Sequence, residues 1–308
     1  MSSRLPPPVA SVRQWAGFVK FSHTVFALPF ALAAMAVAAR ANRGWPGWRI
    51  FLLIVAAMVC ARTCAMAFNR IVDRRLDALN PRTAGRHLPA GTISLASALT
   101  LWVLSGVGLI VVSGFINPLC LGLSPVALVV ICFYSLTKRF TDFTHVFLGV
   151  ALALAPVGAW LAVRGTAVTP WEGLQMTTLA LAVVFWLIGF DLIYALQDYE
   201  FDREHRLGSL VVRWGPRNAL MAAFLAHFVM VLLLGGFGLL SRFRMPYWVG
   251  LGLIAGCLLL EHFLARRRSL NWLNLAFFRL NALVSVVFLV VTVAEVVFPF
   301  FRPTRGGG

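Results

Sequence analysis

Apolar runs of about twenty residues recur along nearly the whole chain, broken only by short connecting stretches. A helix rising about 1.5 Å per residue covers the roughly 30 Å hydrocarbon core of a bilayer in such a run. With no water in that core, every backbone N–H and C=O must be paired internally, which leaves helices or a closed barrel. Barrel strands alternate apolar and polar positions over about ten residues, whereas these runs are continuous, so the chain reads as all-α. A hydrophobic content of 60% and a mean hydropathy of +0.85 over 308 residues exclude an ordinary soluble domain.

Nine transmembrane helices are expected, at roughly residues 18–39, 49–69, 93–113, 117–135, 144–163, 176–197, 217–239, 246–264 and 278–300. The shortest break falls at Asn117-Pro118. The first run ends in Ala36-Val37-Ala38-Ala39, a small-residue tract like a signal-peptidase site, but it is long for a signal core and reads as a retained helix. Residues 1–14, Pro-rich and polar, form a lead-in; 15–301 make one transmembrane domain; 302–308 are a short tail.

A net charge of +16 could point to nucleic acid, but the placement of the basic residues explains it otherwise. If the N-terminus and the connections after spans two, four, six and eight share one side, that side carries 18 of the 27 Lys/Arg, with residues at span ends counted to the adjoining connection. The other side carries 8, and Arg62 lies within a span. The positive-inside bias then places the N-terminus and these connections in the cytoplasm, against anionic lipid.

Acidic residues are scarce, 11 in all, and five aspartates stand in two short stretches at the ends of spans two and six: Asp73, Asp77, Asp191, Asp198 and Asp202. Spacing of four residues puts Asn69, Asp73 and Asp77 on one helix face, and Tyr194, Asp198 and Asp202 on another. Both ends belong to the side assigned to the cytoplasm, so the two ladders are expected to face each other across a central cavity. Mg²⁺ prefers oxygen ligands and is held through carboxylates together with substrate phosphates, so two such rungs suit a diphosphate. Arg70, Arg74, Lys138, Arg139 and Arg203 then supply donors to phosphate oxygens.

Any one of these residues by itself is ordinary interfacial anchoring or an i,i+4 pair. Two complete ladders on the same side are not. The five cysteines include no CxxC pair, and Cys60 and Cys64 read as small membrane-helix residues. The six histidines are scattered without metal-ligand spacing. Most of the 25 Phe and 10 Trp are expected to face lipid or core, with a few near the site able to stabilise a carbocation.

Together the motifs resemble the UbiA superfamily of intramembrane aromatic prenyltransferases, whose NxxxDxxxD and DxxxD signatures match Asn69–Asp77 and Asp198–Asp202. The opening Lys20-Phe21-Ser22-His23-Thr24-Val25-Phe26-Ala27-Leu28-Pro29-Phe30 and the stretches Tyr134–Arg139 and Gly189–Asp198 are similar to its bacterial quinone-pathway members. The resemblance implies nine helices around a cavity and Mg²⁺ held by Asp73, Asp77, Asp198 and Asp202. It also implies diphosphate contacts from Asn69, Arg70, Lys138 and Arg139, with Asp191 and Tyr194 deeper, beside the acceptor, as catalytic residues. Two positions depart from the subgroup: Val211-Val212 replaces an expected proline, and His87 interrupts an Arg-Pro-Leu run. Both bear on loop conformation and capping.

The resemblance implies transfer of a polyprenyl group from its diphosphate to an aromatic quinone precursor in the inner membrane, with the site facing the cytoplasm. 4-Hydroxybenzoate, on the ubiquinone route, is the expected acceptor; a dihydroxynaphthoate of menaquinone synthesis is the alternative. From another class, a cation-coupled transporter could also use intramembrane acids, though near the midplane and on broken helices. A CDP-alcohol phosphotransferase would need a single Asp-rich run with Gly and Arg that is absent here. The partners expected are the prenyl diphosphate, the small aromatic acceptor and lipid, with no nucleic acid.

Overall fold

A computed structural model describes residues 12–19, 24–266 and 270–298 of the chain. Eleven α-helices run through these residues: α1 Val12–Phe18, α2 Thr24–Ala38, α3 Trp48–Leu79, α4 Leu95–Ile116, α5 Pro118–Thr137, α6 Thr144–Arg164, α7 Pro170–Ala195, α8 Tyr199–Glu204, α9 Leu210–Leu240, α10 Met245–Arg266 and α11 Leu270–Val297. Among the described residues eight helical segments are long and apolar enough to cross a membrane, and a shorter apolar helix, Phe26–Ala38, makes a ninth. The protein is an all-α polytopic membrane protein.

Two boundaries differ from expectation at the N-terminal end. The first span was expected over 18–39, but α1 ends at Phe18 and α2 begins at Thr24. Phe18 and Val19 are buried against Ala67, Ile71, Ile93 and Ala98, whereas α2 packs into a different cluster with Trp160, Trp186 and Phe288. Separate partners split the run in two. The lead-in boundary at residue 14 accordingly falls inside α1. The Lys20–His23 part of the opening motif, residues 1–11 and the 302–308 tail lie outside the described residues.

Chain order follows spatial order closely. α3 packs on α4, α4 on α5, α5 on α6 and α6 on α7; α7 packs on α9, α9 on α10 and α10 on α11. α11 then returns to α2, which is wedged against α6 and closes the bundle. Small residues let the helices approach, the usual device where lipid removes any hydrophobic drive between helices. A Cβ on Gly149 of α6 would stand 2.8 Å from the Val184 carbonyl oxygen of α7. One on Gly189 of α7 would stand 2.3 Å from the His227 ring of α9.

That crossing also carries a buried polar cluster. His227 Nε2 lies 3.2 Å from the Trp186 carbonyl oxygen, which can only accept, so His227 carries its proton there. His262 Nε2 lies 2.9 Å from His227 Nδ1 and is therefore the donor in that bond. The Trp186 indole donates to Asn281 Oδ1 at 2.8 Å. These bonds join α7, α9, α10 and α11.

Candidate functional site

α3 runs 32 residues, ten beyond the span expected for it, and so carries Asn69, Asp73 and Asp77 on one unbroken helix. It stops at Asn80, whose extended backbone (φ −84°, ψ 118°) is what a following proline imposes. The second ladder is not continuous. α7 ends at Ala195, residues Leu196–Asp198 form a 3₁₀ turn, and Asp202 lies on the short helix α8. The expectation that Tyr194, Asp198 and Asp202 share one α-helical face is therefore corrected. Asp198 in the turn is engaged by side chains of the loop after α3, which draw it out of the α7 register.

Both ladders nevertheless line one cavity of about 730 Å³, between α3, α5, α6 and α7. Asn69, Arg70, Asp73, Asp77, Lys138, Asp191, Tyr194, Asp198 and Asp202 all contribute to its wall. Five acids and five basic side chains face it, the latter being Arg62, Arg70, Arg82, Arg86 and Lys138. Asp73, Asp77 and Asp198 are held in pairs with Lys138, Arg86 and Arg82 in turn, and Asp73 also with Arg139; among the described residues no three acidic, His or Cys side chains form a ready metal cluster.

Asp73 accepts from Lys138 Nζ at 2.7 Å, Arg139 Nη2 at 2.9 Å and Asn69 Nδ2 at 3.2 Å. Arg139 is not part of the cavity wall; it braces Asp73 while also donating to the carbonyls of Val72 and Ser135. Asp77 accepts from Arg86 Nη1 at 2.6 Å through one oxygen. Its other oxygen, Oδ2, is buried without a hydrogen-bond partner, 3.9 Å from Arg70 Nη1. Asp198 accepts from Asn80 Nδ2 at 3.1 Å and Arg82 Nε at 2.8 Å, with a second close bond from Arg82 Nη2.

Arg82 also donates to the Tyr194 hydroxyl at 2.9 Å and lies 5.4 Å over its ring. Burial alone would lower the Arg82 pKa; its bonds to Asp198 and Tyr194 outweigh that and hold the guanidinium above its ordinary range. Asp191, one turn before Tyr194, pairs with His145 instead, Nδ1 to Oδ2 at 2.6 Å.

Besides Arg139, two of the expected phosphate donors are placed away from the cavity. Arg74 turns back onto the Ile71 carbonyl, and Arg203 pairs with Glu200 and stacks on Tyr199. Neither lines the cavity. Arg82, Arg86, His145 and Arg62 were not singled out from sequence. Arg82 and Arg86 belong to an Asn-Pro-Arg…Gly-Arg loop whose local spacing says nothing of what it reaches; Arg62 carried a signal, as a charge inside an apolar span.

The far wall is apolar. Phe26, Trp186, Phe190 and Phe278 line it together with Ile54, Leu109 and Leu154. It reaches Leu123 and Val126 on α5, which are exposed on the bundle surface, so the apolar end opens toward the membrane. His87 packs edge-on to Phe18 of α1, and Val211 is buried in the first turn of α9; neither lines the cavity. Burial and the nearby Arg70 charge hold the His87 pKa below its ordinary value.

A family profile described as the UbiA prenyltransferase family matches residues 27–283. The 4-hydroxybenzoate octaprenyltransferase of Methylobacillus flagellatus is 30% identical over 256 residues, covering 83% of this chain and 84% of that one. The enzyme of the same name from Cupriavidus necator is 31% identical, covering 82% and 86%. Among solved structures, the apo UbiA homolog from Aeropyrum pernix K1 superposes with a TM-score of 0.78 at 31% identity, covering 88% of this chain and 96% of that one. A UbiA homolog from Archaeoglobus fulgidus bound to GPP and Mg²⁺ shares the fold, with a TM-score of 0.66 at 19% identity over 91% and 99%.

Proposed function

The chain belongs to the UbiA prenyltransferase family, and on that premise we propose that it transfers a polyprenyl group from its diphosphate to an aromatic acid, with 4-hydroxybenzoate first among the acceptors. The observation that carries this reading is one cavity with two chemically opposite ends. Carboxylates and cations crowd one end, and the other is walled by aromatic and aliphatic side chains up to Leu123 and Val126. A diphosphate needs the first and a long isoprenoid tail needs the second.

The donor set suits Mg²⁺: Asp73, Asp77, Asp198 and Asp202 offer hard oxygens around one cavity, and the buried Asp77 Oδ2 has no hydrogen-bond partner. These four residues would hold it, and when bound it would neutralise charge on the departing diphosphate. Lys138, Arg70, Arg82 and Arg86 can bind the remaining phosphate oxygens. In the transfer, the allylic C–O bond to diphosphate breaks, a ring carbon forms the new C–C bond, and the ring then loses a proton. Phe190, Tyr194 and Trp186 line the cavity, and aromatic rings suit a cation-like allylic carbon.

Arg62 stands about two turns below Asn69 on α3, deeper in the same cavity, where a guanidinium suits the carboxylate of an aromatic acid. Asp191 lines the same cavity and would orient or deprotonate the acceptor. Family membership favours this chemistry over the transporter alternative. The basic bias of the connections supports an inner-membrane site opening to the cytoplasm.

The deciding experiment incubates the purified protein with a polyprenyl diphosphate, Mg²⁺ and a panel of phenolic acids and dihydroxynaphthoates, then weighs the products. A prenylated 4-hydroxybenzoate is expected. Product only from a naphthoate would move the acceptor to the menaquinone route, and no product from any member would overturn the reading.

A further inference from the structure

His145, in the first turn of α6, is 2% exposed and has both ring nitrogens engaged. Nδ1 lies 2.6 Å from Asp191 Oδ2, and Nε2 lies 3.4 Å from Ser209 Oγ. The direction of the bonds follows from what each atom can do. Ser209 caps α9, its Oγ accepting the Val211 N–H at 3.2 Å, so its own hydroxyl proton is available to His145 Nε2. An imidazole that accepts at Nε2 carries its proton on Nδ1 and donates it to Asp191. A Ser–His–Asp chain of fixed polarity results, ending on a carboxylate that lines the cavity.

The Ser209 end of this chain is itself pinned. Gly208 donates its N–H to the Lys138 carbonyl at 2.8 Å. A Cβ at Gly208 would fall 2.3 Å from the Thr141 carbonyl oxygen, so this segment lies flush on the turn after α5. The imidazole is thus gripped from the cytoplasm-assigned loop on one side and grips Asp191 on the other.

We propose that His145 is a positioning residue for the acceptor: it occupies Asp191 Oδ2 with a charge-assisted hydrogen bond and leaves the other carboxylate oxygen turned to the hydroxyl of the aromatic acceptor. This rests on the reading above that an aromatic acid occupies the cavity beside Asp191. The bond bears on the acceptor, because on that reading the prenyl diphosphate is held by the ladder on α3, by Asp198 in the 3₁₀ turn and Asp202 on α8, and by the basic groups beside them.

Steady-state kinetics of the full chain in lipid nanodiscs test this, with the acceptor varied at saturating prenyl diphosphate and the reverse. His145→Ala is expected to lower kcat/KM for the acceptor by about tenfold to a hundredfold, the range of a lost charge-assisted bond, with KM for the prenyl diphosphate unchanged. His145→Asn, whose amide can donate from the Nδ1 position, should recover most of the loss. His145→Gln, which reaches the Nε2 position instead, should not, and this pair serves if the alanine variant fails to insert. In an Asp191→Asn background, His145→Ala should add nothing further.

Wild-type acceptor kinetics in His145→Ala alongside an impaired Asp191→Asn would overturn the proposal and leave the reading of the cavity standing. So would equal losses in the Asn and Gln variants with a lowered thermal midpoint, which would mark a packing role. Wild-type turnover by Asp191→Asn would remove the acceptor role of Asp191 and the inference with it.

Discussion

Arg82 and Asp198 stand 116 residues apart in sequence and meet as a fork, Nε on one carboxylate oxygen and Nη2 on the other. The same guanidinium reaches the Tyr194 hydroxyl, so one loop residue ties the 3₁₀ turn and the end of α7 to the end of α3. This is how two distant acidic motifs come to share a cavity. The geometry needs a planar, two-pronged donor, which lysine lacks.

Replacing that donor should therefore be costly in a particular way. Arg82→Ala is expected to reduce kcat/KM for the prenyl diphosphate by about tenfold, and Arg82→Lys to recover only part of it. The side chain is one-third exposed, so water screens the pair and a larger effect is not expected. Initial rates at varied prenyl diphosphate check this, and equal activity in Lys and Arg forms would contradict the fork argument.

Asp73 accepts from three side chains, Asn69, Lys138 and Arg139, and Asp198 from two, Asn80 and Arg82. Asp73→Ala or Asp198→Ala should abolish prenylated product while the protein still fractionates with the membrane. Mass spectrometry of product beside quantification of inserted protein separates the two effects. Wild-type turnover in both variants would refute the roles assigned to the ladders.

Asp77 Oδ2, buried without a hydrogen-bond partner, and the oxygen-only character of the four carboxylates lead to a metal dependence that can be read directly. Thorough chelation with EDTA should remove activity, and Mg²⁺ should restore it. Turnover that survives chelation would argue against a divalent ion in the reaction.

The α7–α9 crossing sets a stability prediction independent of chemistry. Gly189→Ala would drive a methyl to 2.3 Å from the His227 ring and 2.9 Å from the Ala223 carbonyl. Overpacking of this kind costs about 1–3 kcal/mol and should lower the thermal midpoint in detergent. Gly252→Ala, where nothing lies within 4 Å, should leave it unchanged or raise it slightly.

The architecture was legible because the bilayer makes a coarse demand. A run of about twenty apolar residues must be a helix there, and the number of runs sets the number of spans. Even the tight turn at Asn117-Pro118 was readable, since Asn117 caps α5 and Pro118 takes its first helical position. The Asn69–Asp73–Asp77 ladder was readable for a similar reason: four-residue spacing on one continuous helix is a local property.

Other features depended on contacts between residues far apart in the chain. The break of the second ladder at Leu196–Asp198 follows no proline or glycine, and Asp198 there is held from the loop after α3. Arg82 and Arg86 joined the site, and Arg74 and Arg203 left it, according to where each long side chain found a carboxylate or carbonyl. His145 drew no notice as one of six dispersed histidines, yet packing of α6 on α7 sets it against Asp191. Residue spacing along a helix decides which side chains share a face; which faces meet, and what each charge pairs with, is settled only when the helices pack.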